Sequence, residues 1–105
     1  MNTALIKQKY ICNKHLYVSK EENSVILLGY KLNLTKTEYL IIKALAQDSS
    51  SPLSAQQIAS LTELEISKEN IAFHISNINK KAKYISSRIL IKNITKMGYF
   101  LNDKM

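Results

Sequence analysis

Three times between residues 35 and 70 a hydroxyl residue stands three positions ahead of Glu, Gln or Asn, at the start of an apolar-periodic run: TKTE, SAQQ and SKEN. A side-chain oxygen in this position accepts from the backbone amide three residues on. A Glu or Gln there reaches back to the cap's own amide, so two otherwise unpaired donors are satisfied reciprocally. Leu34 with Tyr39, Leu53 with Ile58 and Ile66 with Ile71 stand where a hydrophobic staple closes each entry. Three helix starts are thereby placed by local chemistry. The first helix is expected over 36–47 with Leu40, Ile41, Ala44 and Leu45 inward, the second over 55–61, the third over 68–84. DSSSP separates the first two and TELEI the last two.

On either side of the helices the period changes to that of strands. YICN, HLYVS, SVILL and KLNL are short aliphatic and aromatic runs between residues 9 and 34, broken by SKEEN and by a turn around Gly29. They read as antiparallel hairpins of a small sheet. RILIKNI and MGYFL, joined through Thr95, Lys96, Met97 and Gly98, read as a terminal hairpin over 88–101. The fold class is α+β, one domain over 1–105, since 105 residues build one core and not two.

Of the 15 basic residues all but Arg88 are lysines, and the net charge of +7 favours an anionic partner. The chain offers no apolar run of the ~20 residues that span a bilayer and no signal peptide in MNTALIKQKY, so a soluble, cytoplasmic protein with no membrane partner is expected. Cys12, the single cysteine, excludes an internal disulfide and reads as a small buried strand residue.

The third helix has two unlike faces. At about 100° per residue, Ile71, Ile75, Ile78, Ala82 and Ile85 fall within one narrow arc, the stripe of a buried face. Opposite lie Phe73, Ser76, Asn77, Lys80, Lys83 and Tyr84. A lone exposed Phe ordinarily covers a neighbouring loop. Next to an amide one turn away it reads differently, because a carboxamide matches the N6 and N7 edge of adenine and an apolar ring packs on a thymine methyl. From Asn70 to Leu101 there are six basic residues, Lys80, Lys81, Lys83, Arg88, Lys92 and Lys96, and no acidic one. One continuous basic surface explains that run more simply than a solvated face.

Signs of catalysis are missing from the sequence. His15 reads as an ordinary strand residue, and His74 has no ligand-spaced partner for a metal. No glycine-rich phosphate loop, nucleophile elbow or carboxylate pair occurs. An enzyme is not expected, nor is any cofactor.

NLTKTEYLIIKAL, PLSAQQIASL, ENIAFHISNINKKAK and NITKMGYFL, taken in order, resemble the winged helix-turn-helix effector domain of OmpR/PhoB-type response regulators. The resemblance covers nearly the whole chain. It implies a four-stranded N-terminal sheet, three helices and a β-hairpin wing, with the third helix in the major groove of double-stranded DNA and the wing at the adjacent minor groove. It further implies Phe73, Ser76, Asn77 and Asn79 toward bases or backbone, and Asn70, His74 and Lys80 toward phosphates, where Lys81, Lys83 and Arg88 of the basic run are expected as well. Lys92, Thr95 and Lys96 then belong to the wing. The chain departs from the family pattern in lacking arginines at Ser76, Asn77 and Asn79, so the bidentate contact to guanine is unavailable and A·T reading is favoured. It also lacks the wing arginine, for which Lys96 is the nearest substitute, and the tryptophan at the end of the second helix. Members usually carry a receiver domain in front, for which this chain has no room, so a stand-alone module is expected.

The leading expectation is a sequence-specific bacterial transcription regulator that dimerises on DNA. The alternative is a winged-helix interaction module that binds RNA polymerase or another regulator without touching DNA, with exposed Phe73 as its anchor. Non-specific coating of nucleic acid is the third reading.

Overall fold

A computed structural model describes residues 9–13, 15–47, 51–63 and 67–102, of which residues 9–13 and Lys68 are described by their backbone alone. Four short strands, β1 (Lys9–Asn13), β2 (Leu16–Ser19), β3 (Ser24–Leu27) and β4 (Tyr30–Lys31), form an antiparallel meander in chain order. Alternation sets the buried face of this sheet. Leu16 pairs with Leu27 and Val18 with Val25, all four fully buried, while Tyr17 and its partner Ile26 face outward. The β3–β4 hairpin turns through Leu28 and Gly29, both with positive φ, as a two-residue loop that matches strand twist requires.

Three helices follow, α1 (Lys36–Gln47), α2 (Ala55–Thr62) and α3 (Lys68–Lys83), and then the hairpin of β5 (Ile91–Ile94) and β6 (Gly98–Leu101). Each helix starts where its cap places it. Thr35 and Glu38 bond reciprocally at 2.9 and 3.2 Å, Ser54 and Gln57 at 2.8 and 3.1 Å. Ser67 Oγ accepts from the Asn70 amide at 3.3 Å. The Ile66 half of the third staple, residues 48–50 and 64–66 of the two loops, the first eight residues and the Cys12 side chain lie outside the described residues.

The core is one cluster shared by the sheet, all three helices and the start of the wing. From α3 come Ile71, Ile75, Ile78 and Ala82, each at most 4% exposed, with Ile85 packed at the margin. Each isoleucine buried in this way contributes about 1.5 to 3 kcal/mol. On α1 the buried face is wider than the expected stripe: Tyr39, Ile41, Ile42, Ala44 and Leu45 are buried and Leu40 is half-buried. The reason is that α1 touches the sheet and β6 as well as the other two helices. The Tyr39 hydroxyl donates to the Ser19 carbonyl at 2.8 Å and ties the helix to the end of β2.

The second helix ends at Thr62 and the third at Lys83, each within one residue of expectation, and three strand boundaries also differ. KLNL is not a full strand, because the Leu34 amide bonds the Leu32 carbonyl at 3.0 Å and the chain there bends into the α1 cap. His15 lies in the turn between β1 and β2 rather than in a strand. Residues 88–90 do not pair as β5 but lead into it, held by the buried Asn102, whose amide donates to the Leu90 carbonyl at 2.8 Å and whose side chain donates to the Ile89 carbonyl at 2.9 Å.

Candidate nucleic-acid interface

The isoleucine stripe of α3 faces the core, so its opposite side is left open. Phe73 is 61% and Tyr84 92% exposed, Ser76, Lys80 and Lys83 are exposed, and Asn77 is half-buried between them. Phe73 is steadied by His74, whose ring meets it edge to face at 5.6 Å between centroids and 68° between planes. Asn70 lies exposed on the first turn.

Beside this face stands the wing. Its strand β6 is pinned to the segment before α2 by a two-bond bridge: the Leu53 amide donates to the Tyr99 carbonyl at 2.8 Å, the Tyr99 amide to the Leu53 carbonyl at 2.7 Å. The approach is so close that a Cβ at position 98 would collide with the Leu53 carbonyl, and Gly98 also has φ of +124°. Only glycine fits there. At the tip Thr95, Lys96 and Met97 are exposed, and Lys96 is held at φ of 71°.

Between α3 and the wing runs an open cleft of about 520 Å³, walled by Ser76, Lys80 and Lys83 from the helix and by Ser87, Arg88 and Asn93 from the hairpin side. Three cations and three small polar groups on one concave surface suit an anionic, hydrogen-bonding ligand. Of the residues expected at the site, Ser76, Asn79, Lys80, Lys83 and Arg88 meet at this cleft; Lys92, Thr95 and Lys96 line the exposed wing. Ser87 and Asn93 escaped the sequence reading. Asn93 could have been found from strand alternation, since it follows buried Ile91 by two positions.

Two expected contacts are corrected by the geometry. Asn79 does not offer its amide outward: its Nδ2 donates to the Ile91 carbonyl at 3.1 Å and its Oδ1 accepts from the Ile91 amide at 2.9 Å. Lys81 does not stand ready for a phosphate, because its ammonium bonds Glu38 Oε1 at 2.5 Å. Burial by itself pushes the Glu38 carboxyl up, but the bonds from Lys81 and Thr35 and the charge of Lys81 hold it below the ordinary carboxylate range. Both side chains turn toward the fold, so the basic run presents five cations and not six.

Three helices, the last open to solvent beside a two-stranded hairpin, define a winged helix-turn-helix. The chain belongs to the GerE family, the bacterial regulatory proteins of the luxR family, whose pattern matches residues 32–92. These residues hold the three helices and the first two positions of β5.

Among solved structures the chain is similar to the DNA-binding domain of the response regulator AdeR, determined in complex with an intercistronic region, with 22% identity over 86% of this chain and 95% of that one and a TM-score of 0.73. The DNA-binding domain of CpxR from Escherichia coli gives 21% identity, coverage of 87% and 93%, and a TM-score of 0.70. DrrB of Thermotoga maritima, an OmpR/PhoB homologue, gives 20%, 95% and 48%, and 0.72. At these identities the likeness is one of fold. The expected OmpR/PhoB kinship therefore stands as a shared architecture, and the family is the luxR one. No curated protein sequence matches. Among the described residues no cluster of His, Cys, Asp or Glu could hold a metal, and no helix is long and apolar enough to cross a membrane.

Proposed function

We propose that the chain regulates transcription by binding double-stranded DNA, with α3 in the major groove and the wing along the neighbouring backbone and minor groove. One observation carries this reading. The face of α3 opposite its buried isoleucines is open, and it adjoins a cleft and a wing whose charges are all positive from Asn70 to Leu101. Phe73, Ser76 and Asn77 stand on that face as the base-reading set, with a leaning to A·T pairs from the carboxamide and the ring. Lys80, Lys83, Arg88, Asn70 and His74 serve phosphates, and Lys92, Thr95 and Lys96 serve the wing side. A second copy of the chain on an adjoining half-site would complete the operator, as single modules of this size cover little DNA. The AdeR domain bound to an intercistronic region supports the class of ligand.

Two substitutions test the division of labour. Asn77→Ala should relax selection at one or two A·T positions by about 1 to 3 kcal/mol, whereas Lys80→Ala should weaken all sequences alike. The measurement is selection of bound fragments from a random pool, followed by sequencing, for both variants. If neither change alters retention or enrichment, α3 is not the reading helix. Absence of any retention of the unaltered protein at moderate salt would move the function to a protein partner such as RNA polymerase.

A further inference from the structure

We propose that Asn79 is a positioning residue for DNA binding, a clamp that sets the angle of the wing against α3 so that both arms reach one duplex. The inference rests on the reading under Proposed function. At the base of the hairpin the Leu90 carbonyl accepts from the amide of Asn102, the residue after β6. Alternation then turns the amide and carbonyl of Ile91 the other way, off the hairpin and toward α3. Ile91 is 2% exposed, so water does not satisfy that pair, and an orphaned buried amide is costly. The Asn79 carboxamide supplies both missing bonds, as the peptide of a third strand would.

Residue type matters here. A carboxamide carries a donor and an acceptor side by side, whereas an arginine or lysine only donates and would leave the Ile91 amide unpaired. The clamp therefore accounts for an asparagine at this place in a basic helix. Its position matters as well. Asn79 lies between Asn77 and Lys80 on α3, and Ile91 opens the strand that carries Lys92 and leads to Lys96. Elsewhere the hairpin is bonded to Leu53 and, through Asn102, to its own lead-in. These two bonds join the reading helix to the wing directly.

A double-mutant cycle between Asn79→Ala and Lys96→Ala, read as affinity for a duplex enriched by the protein from random fragments, decides the matter. If Asn79 acts through the wing, Asn79→Ala weakens binding about tenfold alone and less than about threefold once the Lys96 contact is gone. Equal losses in both backgrounds would overturn the clamp, since a residue touching bases, or one that merely holds the fold, costs the same with or without Lys96. Should the alanine variant fail to fold, Asn79→Asp keeps the acceptor for the Ile91 amide and loses the donor. Its added charge weakens binding everywhere, but altered minor-groove protection opposite the wing is expected only if the wing has moved, and an unaltered pattern rejects the proposal. Failure of the unaltered protein to bind any duplex is a different result, which removes the regulator reading itself.

Discussion

Glu38 Oε1 accepts from the Thr35 amide at 2.9 Å and from the Lys81 ammonium at 2.5 Å, so one oxygen both starts α1 and anchors α3. Glutamine keeps the first bond and loses the charge of the second, which makes Glu38→Gln a clean test of the ion pair. The Lys81 side chain is 34% exposed, and solvent screening reduces the expected loss at pH 7 to about 1 kcal/mol. Because the folded-state pKa of Glu38 is depressed, its contribution is fully present above the unfolded value of ~4.3 and disappears as pH falls through the lower folded value. Urea titrations of both proteins from pH 7 to pH 2 should show the difference between them vanish in that acid range. Lys96 is a second informative residue. Its φ of 71° costs an L-residue about 1 to 2 kcal/mol, and glycine would recover this while adding unfolded-state freedom of about 0.5 to 1. Lys96→Gly should therefore raise stability in urea slightly, by up to about 1 kcal/mol, while lowering the slope of log affinity against log salt by about 1. Unaltered binding would take the wing tip out of the interface.

At the scale of elements, the capped helix starts were legible because each rests on residues three apart. The same locality made the glycine turns visible. What could not be read were bonds across the chain: Asn79 and Lys81 sit on the basic helix with outward-looking neighbours, and only their distant partners, Ile91 and Glu38, turn them inward. Gly98 belongs to this scale too. The sequence marks it as a turn residue, yet its constraint comes from Leu53, 45 positions earlier by chain number. Gly98→Ala should break the Leu53–Tyr99 bridge, lower stability by about 1 to 3 kcal/mol and detach the wing. In two-dimensional amide spectra, shifts are expected at Leu53, Ser54, the hairpin and the side of α1 that touches β6. Movement of the β2 and β3 resonances as well would mean that the wing carries the whole core.

For the whole molecule the test is electrostatic. With Lys81 paired to Glu38, the stretch from Asn70 to Leu101 presents Lys80, Lys83, Arg88, Lys92 and Lys96. Five phosphates neutralised on a duplex give a slope of log affinity against log salt of about −4 to −5. A slope near zero would separate the basic surface from DNA altogether. A doubled slope would indicate two copies on each site.

The order of elements, the inward isoleucines of α3 and the sign of its outer surface were decided by the sequence alone, since capping, periodicity and charge are properties of neighbours along the chain. The cleft between α3 and the wing, the turning inward of Asn79 and Lys81, and the glycine requirement at Gly98 were decided by tertiary structure. Each depends on a backbone group or carboxylate brought close by folding, and a hydrogen bond between residues far apart in the chain leaves no fixed spacing in the sequence to announce it.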